Sequence, residues 1–338
     1  MVKRVGAFGE VMMRLEVPGH DLLIQSNRLK YSFSGSGVNV VSAMTRYGYA
    51  GLLVSRLPIN PLGDAAESYL RGLGLSTEFV LRGGQYIGMY FLENGYGARP
   101  GRVTYSNRLE SSFNMASEGT YSYAEIASGM DAIHFCGITL AMNNSVRLAM
   151  KSLAQEVKEQ GGTVVFDCNY RPTLWGDPGY AMAKPHYEEM MHLSDIVLMN
   201  ERDALHILGL NTDKVQREEQ LAELIPMVAE RYAVRTLAGT HRTIYSDNRH
   251  CLQGYIFKQG AFEFSEPLTF SVYDRIGAGD AFASGIMYGE LEGMLPTETI
   301  SFAVTAGMLA HTVAGDTPMA TVGDVIQARN CTARDVTR

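Results

Sequence analysis

Short apolar runs alternate along the chain with segments whose apolar positions recur every three or four residues. Residues 5–8, 52–55, 132–136, 163–167 and 196–199 are such runs, and their length predicts buried strands. Residues 145–160 and 299–313 carry the helical period instead. Strand–helix alternation of this kind predicts an α/β fold, a doubly wound and mostly parallel sheet with helices on both faces. No repeat, low-complexity tract or long linker interrupts it, so residues 1–338 read as a single domain.

Two stretches break the rhythm. Residues 11–17 with 28–33, and 85–93 with 102–106, have the pattern of strands exposed on one side. Ile87, Met89 and Phe91 alternate with Tyr86, Gly88 and Tyr90, and Gly95, Gly97, Pro100 and Gly101 mark a turn between antiparallel strands. A small β-sheet inserted in the α/β domain is expected from about 11–33 and 85–107. It could cover a site as a lid, decorate the surface or pair with a second copy. Exposed strands gain from pairing, so a homodimer through this sheet is expected.

Asp274-Arg275-Ile276-Gly277-Ala278-Gly279-Asp280 is the most informative segment. Beyond it Phe282, Gly285, Ile286 and Gly289 fall on one face of a helix. Gly277, Ala278 and Gly279 would then present backbone N–H groups at a helix N-terminus, which attracts an anion. Asp280 in that place could take a proton from a hydroxyl as a phosphate arrives. A plain glycine-rich turn with Asp280 as helix N-cap accounts for the same residues.

Ligands of open α/β sheets bind beyond the carboxyl ends of the strands. Polar residues gather at those ends: Asp167-Cys168-Asn169-Tyr170-Arg171, Asn200-Glu201 and Gly137-Ile138-Thr139. Each could be loop capping; together with the glycine turn they predict one functional edge. A second glycine segment, Gly35-Ser36-Gly37-Val38-Asn39, would let backbone approach a polyhydroxyl ligand, or be an ordinary turn before a helix.

Composition narrows the partners. A net charge of −7 argues against a nucleic-acid groove, though not against a local basic pocket for a small anion. Cys136, Cys168, Cys251 and Cys331 have no close pairing, so buried thiols are expected rather than disulfides or a zinc site. Neither a signal peptide nor a membrane span is read from the chain, and a cytoplasmic protein is expected.

Together these residues resemble the ribokinase-like (PfkB) family of carbohydrate kinases, over nearly the whole chain. The segment from Asp274 to Asp280 resembles that family's C-terminal signature, the one from Gly35 to Asn39 its N-terminal glycine signature, and Asn200-Glu201 its asparagine–glutamate pair. Met12-Met13-Arg14-Leu15, the stretch from Arg56 to Asp64, Phe166-Asp167-Cys168-Asn169-Tyr170-Arg171 and Gly88-Met89-Tyr90 are similar to the 2-keto-3-deoxygluconate kinases.

The resemblance implies a ribokinase-like fold with a β-sheet lid and transfer of phosphate from ATP to a primary hydroxyl. It makes Asp280 the base, Gly277, Ala278 and Gly279 the anion hole, and Asn200 and Glu201 the helpers of Mg²⁺ through water. Gly35, Asn39, Tyr90, Tyr105, Arg108 and Arg171 would bind a sugar acid, and Gly239 and Arg242 would lie near ATP with Asn200, Gly277 and Gly279. A planar guanidinium suits the carboxylate, which nominates Arg171 and Arg108; a structural ion pair between Arg171 and Asp167 is the alternative. Fructose or another ketose is the competing substrate, an inactive sugar- or nucleotide-binding regulator the competing role, and a monovalent cation a further requirement to consider. The chain departs from the family in three places. Arg275 stands where the signature carries Thr, the stretch from Leu237 to Arg242 matches the nucleotide loop loosely, and Arg108 matches after a one-residue shift.

Overall fold

The computed structural model describes residues 2–330, so Cys331 lies outside the described residues. Its main sheet has ten strands, with Arg4–Phe8 third from one edge. Ala50–Leu57 pairs with that strand on one side and Ala132–Cys136 on the other, both in parallel. Val80–Arg82 extends the first side, and Thr163–Asp167, Ile196–Leu198 and Thr236–Ile244 extend the second, again in parallel. The antiparallel strands Arg249–Lys258, Ala261–Phe264 and Leu268–Ser271 finish that edge. From its first strand the chain winds outward to one side, then returns to build the other. The crevice between Arg4–Phe8 and Ala132–Cys136 is therefore the topological switch point, where ligands of such sheets bind.

The apolar runs are central strands because both faces of the sheet are covered. Every residue of Ala132–Cys136 is buried. Asn144–Glu159, Gly179–Leu193 and Arg217–Tyr232 cover one face through Met150, Leu153, Met190, Leu221 and Leu224. Ser36–Arg46, Ala278–Leu291 and Pro296–Ala310 cover the other through Val40, Met44, Phe282, Ile286 and Phe302. The Asn144–Glu159 helix starts where expected, because the Asn143 side chain accepts a hydrogen bond from Val146 N at 3.0 Å. Gly285 allows the close approach of the last two helices, since a Cβ there would come 2.5 Å from Ala303 Cα.

The two stretches that break the rhythm form a separate four-stranded sheet. Its order is Lys30–Ser34, Met12–Glu16, Gly88–Glu93, Arg102–Ser106. Its inner face packs Met12, Tyr90 and Leu92 against Ile276 of the glycine turn, while Tyr31 on the outer face is exposed. Cys136, Cys168 and Cys251 are free thiols, the first two buried. Among the described residues no helix is long and apolar enough to cross a membrane.

Candidate active site

Gly277 is the N-cap of the Ala278–Leu291 helix, with φ 82°, a left-handed conformation that glycine adopts without strain. A Cβ there would also come 1.8 Å from the carbonyl oxygen of Asp316. The first intrahelical bond runs from Ala281 N to Gly277 O, so the N–H groups of Ala278, Gly279 and Asp280 precede the helical ladder. The Ala278 side chain packs away with Ala281 and Ala310, whereas Gly277 and Gly279 border the cavity described next.

Asp280 is not an N-cap. Its carboxylate turns to the other glycine segment, where Ser36 Oγ donates to Oδ1 at 2.6 Å and Asn39 Nδ2 donates to Oδ2 at 2.7 Å. Burial pushes its carboxyl above the ordinary value, and the bonds from Ser36 and Asn39 and the charge of Arg171 act in the opposite sense. Gly35 holds the second segment close: a Cβ on it would meet the Glu10 carbonyl oxygen at 2.2 Å.

A cavity of about 590 Å³ opens at the switch point. Gly35, Asn39, Tyr90, Tyr105, Arg108, Arg171, Arg242, Gly277, Gly279 and Asp280, all read from the sequence, line it together. So do Cys136, Ile138, Thr139, Asp167 and Asn169, from two of the three strand-end clusters, and Arg275, which faces the cavity rather than solvent alone.

The guanidinium groups differ in their attachments. Arg108 is buried; its Nε donates to Glu10 Oε2 at 2.9 Å, and its plane lies 4.7 Å from the centroid of the Tyr105 ring. Among the described residues its Nη1 has no hydrogen-bond partner. Glu10 is fixed in turn by Ser111 Oγ at 2.7 Å, and burial raises its carboxyl against the opposing pull of Arg108. Arg171 makes no ion pair with Asp167; its Nη1 donates to the Tyr170 carbonyl at 3.2 Å. Its positive charge nevertheless opposes the rise of Asp167, which burial first and the charge of Asp280 second carry up to about 7.

Three expected residues lie elsewhere. Gly239 is inside the Thr236–Ile244 strand, where a Cβ would come 2.1 Å from the Met199 carbonyl oxygen. The glycine there serves strand packing and not a nucleotide loop, because residues 237–242 continue the sheet without a break. Glu201 is buried and paired with Arg217, with His241 Nε2 at 3.4 Å. Burial works against its ionisation, but the contacts from His241 and Arg217 prevail and hold its carboxyl below the usual value. Asn200 borders a neighbouring cavity of about 310 Å³ with Asp203, and its Oδ1 accepts from Arg202 N at 2.9 Å. Asp203, which the sequence reading passed over, is carried up to about 6, by burial against the Asn200 backbone bond, and feels the charge of Arg171. Sequence also passed over Glu10, Ser36 and Asp316; Ser36 alone had a local signal, lying between Gly35 and Gly37.

A helix N-terminus and a carboxylate at the switch point of a doubly wound sheet, faced by guanidinium groups, suit the transfer of an anionic group to a hydroxyl, which is the work of a phosphotransferase. Residues 2–321 match the pfkB family carbohydrate kinases, and the chain belongs to that family. It is accordingly a carbohydrate kinase, acting on a sugar hydroxyl with ATP and Mg²⁺.

A candidate 2-keto-3-deoxygluconate kinase from Enterococcus faecalis is 36% identical, with a TM-score of 0.95 over 99% of both chains. The 2-dehydro-3-deoxygluconokinase of Thermotoga maritima is 31% identical with a TM-score of 0.92, over 97% of this chain and 100% of that one. The 2-dehydro-3-deoxygalactonokinase of Haloferax volcanii is 28% identical over 96% of each chain. Fructokinases of Salmonella match over 54% of this chain, so similarity to them is no better than to the sugar-acid kinases.

Proposed function

We propose that the protein phosphorylates the primary hydroxyl of 2-keto-3-deoxygluconate with ATP, as a 2-dehydro-3-deoxygluconokinase. The observation that carries this reading is the presence of Arg108 and Arg171 in the same cavity as Asp280. A neutral ketose offers no anion to the donors of Arg108 and Arg171 that face the cavity, whereas a sugar acid presents a carboxylate that a guanidinium binds through charge-assisted hydrogen bonds. Arg108 is held by Glu10 and Tyr105, and among the described residues its Nη1 has no hydrogen-bond partner and Arg171 forms no ion pair. The names of full-length relatives support the same substrate class.

In this reading the second sheet is a lid within one kinase domain. Tyr90, Tyr105 and Arg108 come down on the sugar from the lid side, while Gly35 and Asn39 approach it from below. Asn39 acts chiefly through Asp280, whose free lone pairs accept the proton of the attacking hydroxyl. The hydroxyl oxygen bonds to the γ-phosphorus as the bond to the β-phosphate oxygen breaks, giving the phosphorylated sugar and ADP. The N–H groups of Ala278 and Gly279 lie where charge grows on the transferring group. Arg242 and Arg275 stand at the rim for the phosphates.

Mg²⁺, when bound, would supply positive charge to the phosphates of ATP. The described residues hold no group of three or more His, Cys, Asp or Glu placed to bind a metal, which fits an ion carried by ATP and touched through water. We assign that touch to Asn200 and Glu201, whose Oε2 accepts no hydrogen bond among the described residues while Oε1 is held by Arg217, with Asp203 beside them.

Further parts of the proposal rest on separate grounds. A dimer through the lid is supported by Tyr31, exposed on its outer face, and sedimentation tests it. A cytoplasmic location is supported by the free thiols of Cys136 and Cys168. A monovalent cation requirement follows from the family resemblance, and activity in potassium against an organic cation tests it.

An ADP-release assay over both C4 epimers of the 2-keto-3-deoxy sugar acid, fructose and ribose tests the function. The Haloferax relative makes the galactonate epimer the second reading. Highest kcat/KM on the gluconate epimer is expected; highest kcat/KM on fructose refutes the sugar-acid assignment.

A further inference from the structure

We infer that Arg14 is a positioning residue that ties the lid to the anion-binding turn, so that closure over the sugar and assembly of the phosphate site are one event. The inference rests on the phosphotransfer reading above, though not on which sugar is used.

Arg14 lies in the lid strand Met12–Glu16 and is almost completely buried, at 1% exposure. It is not part of the cavity wall, although Met12 and Tyr90 beside it are. Its guanidinium reaches out of the lid. Nη2 lies 3.3 Å from Asp274 Oδ2 and 3.0 Å from Glu16 Oε2, and Nη1 pairs with Asp316 Oδ1. A second lid side chain makes the same connection, since Tyr90 Oη donates to Asp316 Oδ2 at 2.5 Å.

Both carboxylates belong to the architecture of the turn. Asp274 Oδ1 accepts from Arg275 N at 2.7 Å and from Ile276 N at 3.2 Å, which sets the chain's entry into Gly277. Asp274 Oδ2 accepts from Gly315 N at 3.1 Å, which joins the turn to the segment carrying Asp316. The Asp316 carbonyl is the group against which Gly277 packs, with no room for a Cβ. Moving the lid strand therefore pulls on both residues that flank the anion-binding N–H groups.

Burial makes the link stiff. Asp274 and Asp316 face the guanidinium almost out of contact with water, Glu16 lies half-buried beside them, and removing the cation leaves three like charges together, which a largely buried cluster tolerates poorly. An open lid exposes these groups to solvent, so the cluster favours one closed arrangement over a continuum of partly closed ones. Any ligand that favours lid closure then also favours the assembled turn, and the coupling must be reciprocal.

Arg14→Met, Arg14→Lys and Asp316→Asn test this with two readouts on the full chain. One is kcat with separate KM values for sugar and ATP, using whichever sugar the substrate panel identifies. The other is calorimetric affinity for the magnesium complex of a non-hydrolysable ATP analogue, with and without that sugar. The parent is expected to bind the analogue at least about fivefold more tightly with sugar present, within the usual range of such couplings. In Arg14→Met that gain falls to less than twofold, kcat falls at least tenfold, and the sugar's own affinity changes by less than threefold. Arg14→Lys, which keeps the charge and loses the fork, lies between, and it decides alone if the Met variant does not fold. Asp316→Asn combined with Arg14→Met is no worse than the poorer single variant by more than threefold. A folded Arg14 variant with kcat and coupling within twofold of the parent overturns the inference, as does a parent without coupling. A loss confined to melting temperature also overturns it, because it marks Arg14 as purely structural. Failure of the sugar-acid assignment leaves the test intact, since it then runs on the sugar that is turned over.

Discussion

Asn39 Nδ2 donates to Asp280 Oδ2 at 2.7 Å, joining residues 241 positions apart in the chain. The bond fixes the carboxylate that ends one glycine segment with the amide that ends the other. Because Ser36 holds Oδ1 at 2.6 Å, the orientation of Asp280 is set before any substrate arrives. Asp280→Asn keeps the size of the side chain and removes the base. It is expected to lower kcat by roughly 10²–10⁴-fold, the usual contribution of a general base. Steady-state turnover with a melting control measures it, and near-normal kcat in a folded variant removes Asp280 from the chemistry.

The pH profile follows from the same contacts. Burial raises the Asp280 carboxyl, and only the ionised form accepts a proton, so kcat rises with pH through that raised value and then levels. Hydrogen bonds from Asn39 and Ser36 favour the ionised form. Asn39→Ala removes one, the pKa rises further, and the acid limb moves to higher pH. Rate profiles from about pH 5 to 9 for the two proteins test this, and a limb that stays put or moves toward acid contradicts it.

The two turn glycines separate fold from ligand binding. A Cβ at Gly279 meets nothing within 4 Å, and alanine favours a helix over glycine by about 1 kcal/mol. Gly279→Ala should melt no lower than the parent, yet raise KM for ATP severalfold, because the methyl group enters the space facing the phosphate. Gly277→Ala meets the Asp316 carbonyl at 1.8 Å from a left-handed backbone, and should lose both stability and activity. Thermal melts beside ATP titrations distinguish them. A Gly279→Ala enzyme with unchanged ATP kinetics would argue against phosphate binding at this turn.

Much of this was legible in the sequence, for identifiable reasons. The apolar runs found their places because a strand buried on both faces can tolerate little else, as Ala132–Cys136 illustrates. The glycine turn was legible because its chemistry is local: a positive φ at Gly277 and a carboxylate three residues on. Arg108 and Tyr105 were both read as facing the sugar, and in the fold the Arg108 guanidinium carbon lies 4.7 Å from the Tyr105 ring centroid. Partners distant in sequence were not legible. Glu10 behind Arg108, Ser36 on Asp280 and Asp316 under Tyr90 are ordinary residues until folding brings them together. The strand setting of Gly239 was not legible either, because a glycine needed for close packing against Met199 and Tyr255 looks, in sequence, like one needed for a loop. The ion pair of Glu201 with Arg217 was likewise invisible, because a glutamate beside an asparagine gives no sign of a partner sixteen residues on.

The central claim is that guanidinium groups in the cavity select a carboxylate-bearing sugar. The most direct measurement is the ratio of kcat/KM for 2-keto-3-deoxygluconate to that for fructose, in the parent and in Arg108→Ala and Arg171→Ala. Losing a charge-assisted hydrogen bond costs about 1.5–3 kcal/mol, which is roughly 10- to 150-fold in this ratio. The account predicts a parent ratio well above 100, falling by that factor in each variant while kcat/KM for fructose stays within a few fold. A parent ratio near one, or variants that lose both substrates equally, would contradict it.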